Sequence, residues 1–109
     1  MIDFELDDLK REFLSEAEEK VREMQTMADS GDRESLDRLA YLAHQLKGSG
    51  GSYGFQRIST DAADLERAIE RLAESGNGAT PAIEGEIQQY VVNLRTEIEK
   101  RTKELGPSA

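Results

Sequence analysis

Cysteine and tryptophan are absent from this chain of 109 residues, which contains two prolines and a single histidine. Without cysteine it cannot form disulfides, thiolate zinc sites, iron–sulfur clusters or a thiol nucleophile. One histidine excludes any site that needs two imidazoles, and the carboxylates show no clustered metal-ligand pattern. No apolar run approaches the ~20 residues of a membrane span, and the first residues lack the basic start of a signal peptide.

The charge balance narrows the choice of partners. The chain carries 23 acidic and 14 basic side chains, a net charge of −9. Nucleic acids and anionic membranes bind mainly through lysine and arginine, so both are disfavoured as partners. The length suits one domain with a modest core. We therefore expect a soluble, cytoplasmic, monomeric domain that needs no cofactor.

Apolar residues recur every three or four positions along four stretches, which predicts four amphipathic helices. The predicted core stripes are Leu6, Leu9, Phe13, Ala17, Val21, Met24 and Ala28; Leu36, Leu39, Leu42, Ala43 and Leu46; Phe55, Ile58, Ala62, Leu65, Ile69 and Leu72; and Ile83, Ile87, Tyr90, Val91, Leu94 and Ile98. No segment alternates with period two, so no strand is predicted. Short connections predict an all-α, antiparallel up-down four-helix bundle over residues 1–105, with a frayed tail at 106–109.

Capping residues set the expected helix ends. Gly31 is a plausible C-terminal cap of the first helix, and Asp32 can cap the second. Residues 74–79 form the most loop-like segment. Thr80 then predicts an N-cap, with Pro81 as the first residue of the fourth helix.

The second helical stretch leads into an unusual run, HQLKGSGGSYGF at residues 44–55. Each glycine inside a helix costs up to ~1 kcal/mol relative to alanine. Two interpretations remain open. The glycines lie within the helix, where another body can approach the backbone closely, or the helix ends near Gly48 and the glycines form a loop.

The histidine lies one turn before these glycines. At ~100° per residue, His44 points well over 90° away from the core stripe of its helix, so it should face solvent. Tyr41, Lys47, Gly48 and Gly51 share its side. A neutral imidazole is a nucleophile near pH 7, and a lysine one turn away can hold phosphoryl oxygens.

A nucleophilic imidazole needs one free nitrogen and a partner that orients the other, usually a carboxylate. If the second and third helices pair antiparallel about Gly54, the residue facing His44 lies somewhat over ten positions past that turn. Glu66 fits this position best. Asp64 and Glu70 remain alternatives.

The segment LAHQLKGS at 42–49, followed by Tyr53-Gly54-Phe55, closely resembles the signature of histidine-containing phosphotransfer (HPt) domains. It is similar also to the first domain of chemotaxis histidine kinases. The resemblance implies that His44 accepts a phosphoryl group through Nε2, that Lys47 steadies the phosphoryl oxygens and that Gly48 keeps the approach open. Glu66 falls where the chemotaxis domains carry a glutamate bonded to the imidazole, whereas many stand-alone members have glutamine. A docking surface for a receiver domain is implied at Ala40, Tyr41, Gly48, Gly51, Ala62 and Ala63.

The leading functional hypothesis is a phosphorelay intermediate. His44 would take a phosphoryl group from an aspartyl phosphate of a response-regulator receiver domain and pass it to another receiver aspartate, with Mg²⁺ supplied by the receiver. The alternative is the substrate domain of a chemotaxis-type histidine kinase, phosphorylated by a separate ATP-binding domain. A non-catalytic helical interaction module is the third possibility. The glycine run lacks the Gly-Lys-Ser/Thr of a phosphate-binding loop, so autonomous kinase activity is not expected.

Overall fold

A computed structural model describes residues 2–75 and 81–106, which form four helices. They are α1 (Ile2–Ser30), α2 (Arg33–Ser52), α3 (Gln56–Glu74) and α4 (Pro81–Leu105). Each helix packs against two others, in the closed order α1, α2, α3, α4. The bundle measures 54 × 20 × 19 Å. The predicted antiparallel four-helix bundle is therefore confirmed.

Local chemistry fixes the tight turn between α1 and α2. Gly31 has a φ of +70°, a left-handed conformation that glycine adopts without strain. Asp32 accepts a hydrogen bond from the Ser35 amide at 2.9 Å, and hydrogen bonding from the side chain and then the amide of Ser35 lowers the pKa of the Asp32 carboxyl. Both predicted caps are confirmed. The helix α4 begins at Pro81 as predicted, whereas Thr80 and residues 76–79 of the predicted loop lie outside the described residues.

The core lies along the bundle axis and follows the predicted stripes closely. Its fully buried larger side chains are Leu14, Met24, Leu39, Leu42, Leu46, Ile58, Leu65, Val91, Leu94 and Ile98. Leu6 and Leu9 were expected in the core, and this expectation is wrong, because they are 43% and 49% exposed. The reason is length: α1 is nine residues longer than α2, so its first turns extend beyond the end of that neighbour. Leu14 is buried although it lies outside the predicted stripe.

Aromatic packing holds the α2–α3 turn in place. The Phe13 ring stacks on Tyr53 and Phe55, with ring centroids 5.1 and 5.6 Å apart. Two residues before Phe13, Arg11 donates hydrogen bonds to the carbonyls of Leu105 and Gly106 at 3.2 and 3.1 Å. The last carbonyls of a helix have no partner within the helix, and Arg11 supplies one at this end of α4. The remainder of the predicted frayed tail, residues 107–109, lies outside the described residues.

One charged side chain of the described residues is buried. Asp61 on α3 is 4% exposed, and its Oδ1 lies 3.2 Å from Arg57 Nε one turn earlier. Burial raises the pKa of the Asp61 carboxyl above its ordinary value, and the Arg57 guanidinium opposes this shift without cancelling it. Folding therefore disfavours the ionised form of Asp61. Within the described ranges, no helix is long and apolar enough to cross a membrane.

Candidate functional site

The glycine run belongs to the helix. The last turns of α2 continue without a break through Gly48, Gly50 and Gly51 and end at Ser52. Gly54, in the following turn, has a φ of +85° and lets the chain reverse into α3. Of the two interpretations of the run, the structure therefore supports the continuous helix.

His44 faces solvent, as its angle on the helix predicted. Its side chain is 65% exposed, whereas Leu42, Ala43 and Leu46 on the other side of α2 are buried. The Nδ1 atom lies 3.0 Å from Glu66 Oε2 on α3, so that a proton on Nδ1 is donated to this carboxylate. Among the described residues, no hydrogen bond engages Nε2. The ring is thus held by one nitrogen and presents the other to an incoming group.

The same carboxylate also holds the lysine. Lys47 Nζ donates to Glu66 Oε1 at 3.0 Å, so that the two carboxylate oxygens serve two different side chains of α2. The Glu66 side chain is 20% exposed. This partial burial alone would raise its pKa, but the hydrogen bonds from Lys47 and His44 outweigh burial and hold the pKa of Glu66 below its ordinary value. Glu66 is accordingly an anion at neutral pH that bridges a nucleophile and a cation.

The two alternative carboxylates point elsewhere. Asp64 pairs with Arg67 on its own helix, and Glu70 is exposed one turn beyond the site. The hydrogen bond from His44 goes to Glu66, 22 residues along the chain. The question that the spacing left open is thus answered by the register of α3 against α2.

The six residues of the expected docking surface do not all reach the surface. Tyr41 is 53% exposed, Gly48 and Gly51 are exposed, and Ala40 and Ala63 are half-buried. A Cβ atom built at Gly48 would meet no atom of the chain within 4 Å, so the space above this residue is open. Ala62 is 0% exposed and packs in the core. Its inclusion in the docking surface was wrong, because the side of α3 that carries Ala62 faces the bundle axis.

Sequence reasoning missed two sets of contacts around the site. The Arg38 guanidinium lies over the Tyr41 ring at 5.4 Å, and Gln45 donates to the Tyr41 hydroxyl at 2.9 Å, so this exposed side chain is contacted at its ring face and at its hydroxyl. Ser59 Oγ on α3 donates to the Lys47 carbonyl at 2.8 Å. The serine lies seven residues before Glu66, which is two helical turns, and this spacing was the available signal.

The site contains no arrangement for a resident metal. Over residues 2–75 and 81–106, no group of three or more histidine, cysteine, aspartate or glutamate side chains could hold a metal ion. What the chain brings together is one exposed imidazole, one ammonium group and one shared carboxylate. This set can accept and hold an anionic group at Nε2.

Comparison with known proteins agrees with this chemistry. The family model described as the Hpt domain matches residues 8–100. The chain is also 35% identical, over 74 residues, to the chemotaxis protein CheA of Halobacterium salinarum. That match covers 63% of this chain and 10% of the relative, so the chain spans about a tenth of the curated protein that it matches. No solved structure matches the chain.

Proposed function

Because the chain belongs to the Hpt domain family and is a histidine phosphotransfer module of two-component signalling, we propose that His44 is its phosphoryl acceptor. One observation carries the proposal: Glu66 holds the exposed imidazole of His44 at Nδ1, while no hydrogen bond from the described residues engages Nε2. It is the only histidine of the chain.

The proposed reaction is an in-line displacement at phosphorus. The Nε2 lone pair of His44 attacks the phosphoryl group of an aspartyl phosphate on a receiver domain. The N–P bond forms while the P–O bond to the aspartate breaks, and the aspartate leaves as a carboxylate. The proton on Nδ1 stays in place, so the ring gains positive charge as the N–P bond forms. Glu66 stabilises that charge at 3.0 Å. Transfer to a second receiver reverses these steps.

Lys47 is proposed to accompany the phosphoryl group. Its ammonium group is bonded to Glu66 beside the imidazole, and its side chain is 39% exposed. The flexible four-carbon stem allows Nζ to turn from the carboxylate to a phosphoryl oxygen on Nε2. The chain has a net charge of −9, so this lysine provides local positive charge where an anionic group arrives.

The partner is proposed to approach over the exposed side of α2. Gly48 leaves open space one turn after His44, and Tyr41 presents an exposed aromatic ring about one turn before His44. Gly51 and the half-buried Ala63 extend this surface with small residues. A receiver domain docked there would bring its phosphoaspartate and its Mg²⁺ to Nε2. Such contacts are small and transient in kind.

A second function is favoured by one specific comparison. The chain matches a chemotaxis protein CheA. By the family resemblance, Glu66 also stands where chemotaxis domains carry glutamate and where many stand-alone members have glutamine. In this alternative the chain is the substrate domain of a chemotaxis-type kinase, and a separate ATP-binding domain phosphorylates His44. The chemistry at His44 is the same in both functions, and only the donor differs.

Phosphoryl transfer to the purified chain distinguishes these functions. One sample receives a phosphorylated receiver domain, and another receives a chemotaxis-type kinase domain with ATP. Label on this chain should be acid-labile and base-stable, as expected for phosphohistidine, and absent from His44→Gln. Label from the receiver alone supports the relay, and label from the kinase alone supports the substrate domain. Label that persists in His44→Gln, or no label from any donor, would refute the assignment and leave the non-catalytic interaction module.

A further inference from the structure

The helices α2 and α3 come unusually close at one glycine. Gly50 is buried, and a Cβ atom built on it would lie 3.2 Å from the Ser59 amide nitrogen and 3.2 Å from Ile58 Cγ2. The first of these atoms belongs to the backbone of α3 and cannot move aside by rotating a side chain. Gly50 therefore determines how near the two helices can pack. Gly48 differs, because a Cβ there would meet nothing within 4 Å.

Two hydrogen bonds near Gly50 join α2 to α3 and to the turn that precedes α3. Ser59 Oγ donates to the Lys47 carbonyl at 2.8 Å, and the Phe55 amide donates to the Gly50 carbonyl at 2.8 Å. A Cβ atom at Gly51 would lie 3.6 Å from Ser59 Oγ, which is ordinary contact distance. The close approach is thus concentrated at Gly50, and the serine bond depends on it.

The Ser59 hydrogen bond lies on the same side of α3 as the site. Glu66 follows Ser59 by two helical turns, about 10.5 Å along the axis. Lys47 is therefore contacted twice from α3, at its carbonyl by Ser59 and at its ammonium group by Glu66. Because α3 is a rigid helix, a change in its distance from α2 at Ser59 also moves Glu66.

We infer that Gly50 is a positioning residue for phosphotransfer, because its missing side chain sets the separation of α2 and α3 at which Glu66 bridges His44 and Lys47. This rests on the proposed function of His44. Both bonds of Glu66 measure 3.0 Å, and a single carboxylate makes them. An outward shift of α3 by a few tenths of an ångström lengthens both together. The hydrogen bond that orients the imidazole is then weakened, although no residue of the site has changed.

Gly50→Ala tests this inference, with Gly85→Ala as the matched control. Gly85 is an exposed helical glycine on α4, and a Cβ there would meet no atom within 4 Å. Both changes favour helix formation, so neither should weaken the helices themselves. Phosphoramidate serves as the donor: Nε2 attacks phosphorus, the P–N bond of the donor breaks, and ammonia leaves. No partner protein takes part, so at a fixed concentration of phosphoramidate a difference in rate between variants comes from this chain.

We expect Gly50→Ala to slow phosphorylation by roughly threefold, because the hydrogen bond that orients the histidine is lengthened and not removed. Gly85→Ala should react like the parent chain. Nitrogen-15 NMR of the His44 ring should show the proton held at Nδ1 in the parent and shared between Nδ1 and Nε2 in Gly50→Ala. A merely structural role for Gly50 would change the unfolding midpoint without changing this tautomer signature.

A second pair of variants keeps the test decisive if Gly50→Ala does not fold. Ser59→Ala removes the bond to the Lys47 carbonyl without adding an atom, and it should move rate and tautomer in the same direction to a smaller extent. Ser59→Thr keeps the hydroxyl and should restore both. Parent-like rate and tautomer in Gly50→Ala, or in Ser59→Ala when the former is unfolded, would overturn the inference. Failure of the parent chain itself to react would instead contradict the proposed function.

Discussion

Removal of the Glu66 carboxylate is the most informative single change. Glu66→Ala takes away the acceptor of the Nδ1 proton of His44 and the anion bonded to Lys47, both at 3.0 Å. Charge-assisted hydrogen bonds contribute about 1.5–3 kcal/mol. The imidazole is 65% exposed, so water replaces part of what is lost, and the lower end of this range applies. About 1.4 kcal/mol in the barrier corresponds to roughly tenfold in rate.

Glu66→Gln separates the charge from the hydrogen bond. The amide oxygen can still accept the Nδ1 proton, but a neutral hydrogen bond is about half as strong as a charge-assisted one. Half of the free energy corresponds to about a threefold loss of rate. Stability should change little in either variant, since ion pairs with exposed partners contribute about 0–1 kcal/mol. Glu70→Ala, at an exposed position one turn further along α3, is the control and should react like the parent chain.

The assay is the initial rate at which the chain gains one phosphoryl group from phosphoramidate, followed by intact mass, with urea unfolding measured in parallel. The expected order is parent and Glu70→Ala fastest, Glu66→Gln slower and Glu66→Ala slowest. A parent-like rate in Glu66→Ala would refute the orienting role. Equal rates for the alanine and glutamine variants would show that the negative charge alone acts, without the hydrogen-bond geometry.

Three further outcomes follow from burial and charge. Replacing the fully buried Leu65 with alanine should lower the free energy of unfolding by about 2–5 kcal/mol in urea titrations, because it leaves a cavity. Asp61→Asn should have a larger free energy of unfolding than the parent in urea titrations at pH 7. The reason is that the raised pKa of Asp61 means that ionisation destabilises the folded state. This difference should disappear as the pH falls below about 4, where the Asp61 carboxyl is protonated in both the folded and the unfolded state. Lys47→Gln should slow phosphorylation while nitrogen-15 NMR still shows the His44 proton at Nδ1, because Glu66 remains in place.

Much of the fold was predictable from short-range patterns. Helical spacing of apolar residues determines which side of each helix is buried, and Gly31 with Asp32 marks the first turn through backbone freedom and side-chain capping. Leu6 and Leu9 show where this reasoning stops. Periodicity indicates which side of α1 is apolar, but whether a neighbour covers that side depends on the length of α2, which a local pattern does not contain.

The site was predictable to the extent that it depends on angle and register. The solvent exposure of His44 follows from its helical position, and antiparallel pairing brings Glu66 to it. Ala62 and Gly50 required the packed structure. In the sequence both are small residues near the site. In the structure Ala62 is enclosed in the core, and Gly50 sets how closely α3 can approach α2. Burial and close contact depend on which atoms of another helix lie opposite, and a local pattern does not contain that information.

The openness around His44 has a consequence for timing. The His44 side chain is 65% exposed, and the space above Gly48, one turn away, is open. Nothing in the proposed acceptor site would shield an N–P bond from hydrolysis, so the intrinsic lifetime of a phosphohistidine, and not the fold, should limit how long the chain stores a signal. The bundle would then be a short-term carrier, and the fraction of phosphoryl groups that it delivers would depend on how quickly the next partner binds.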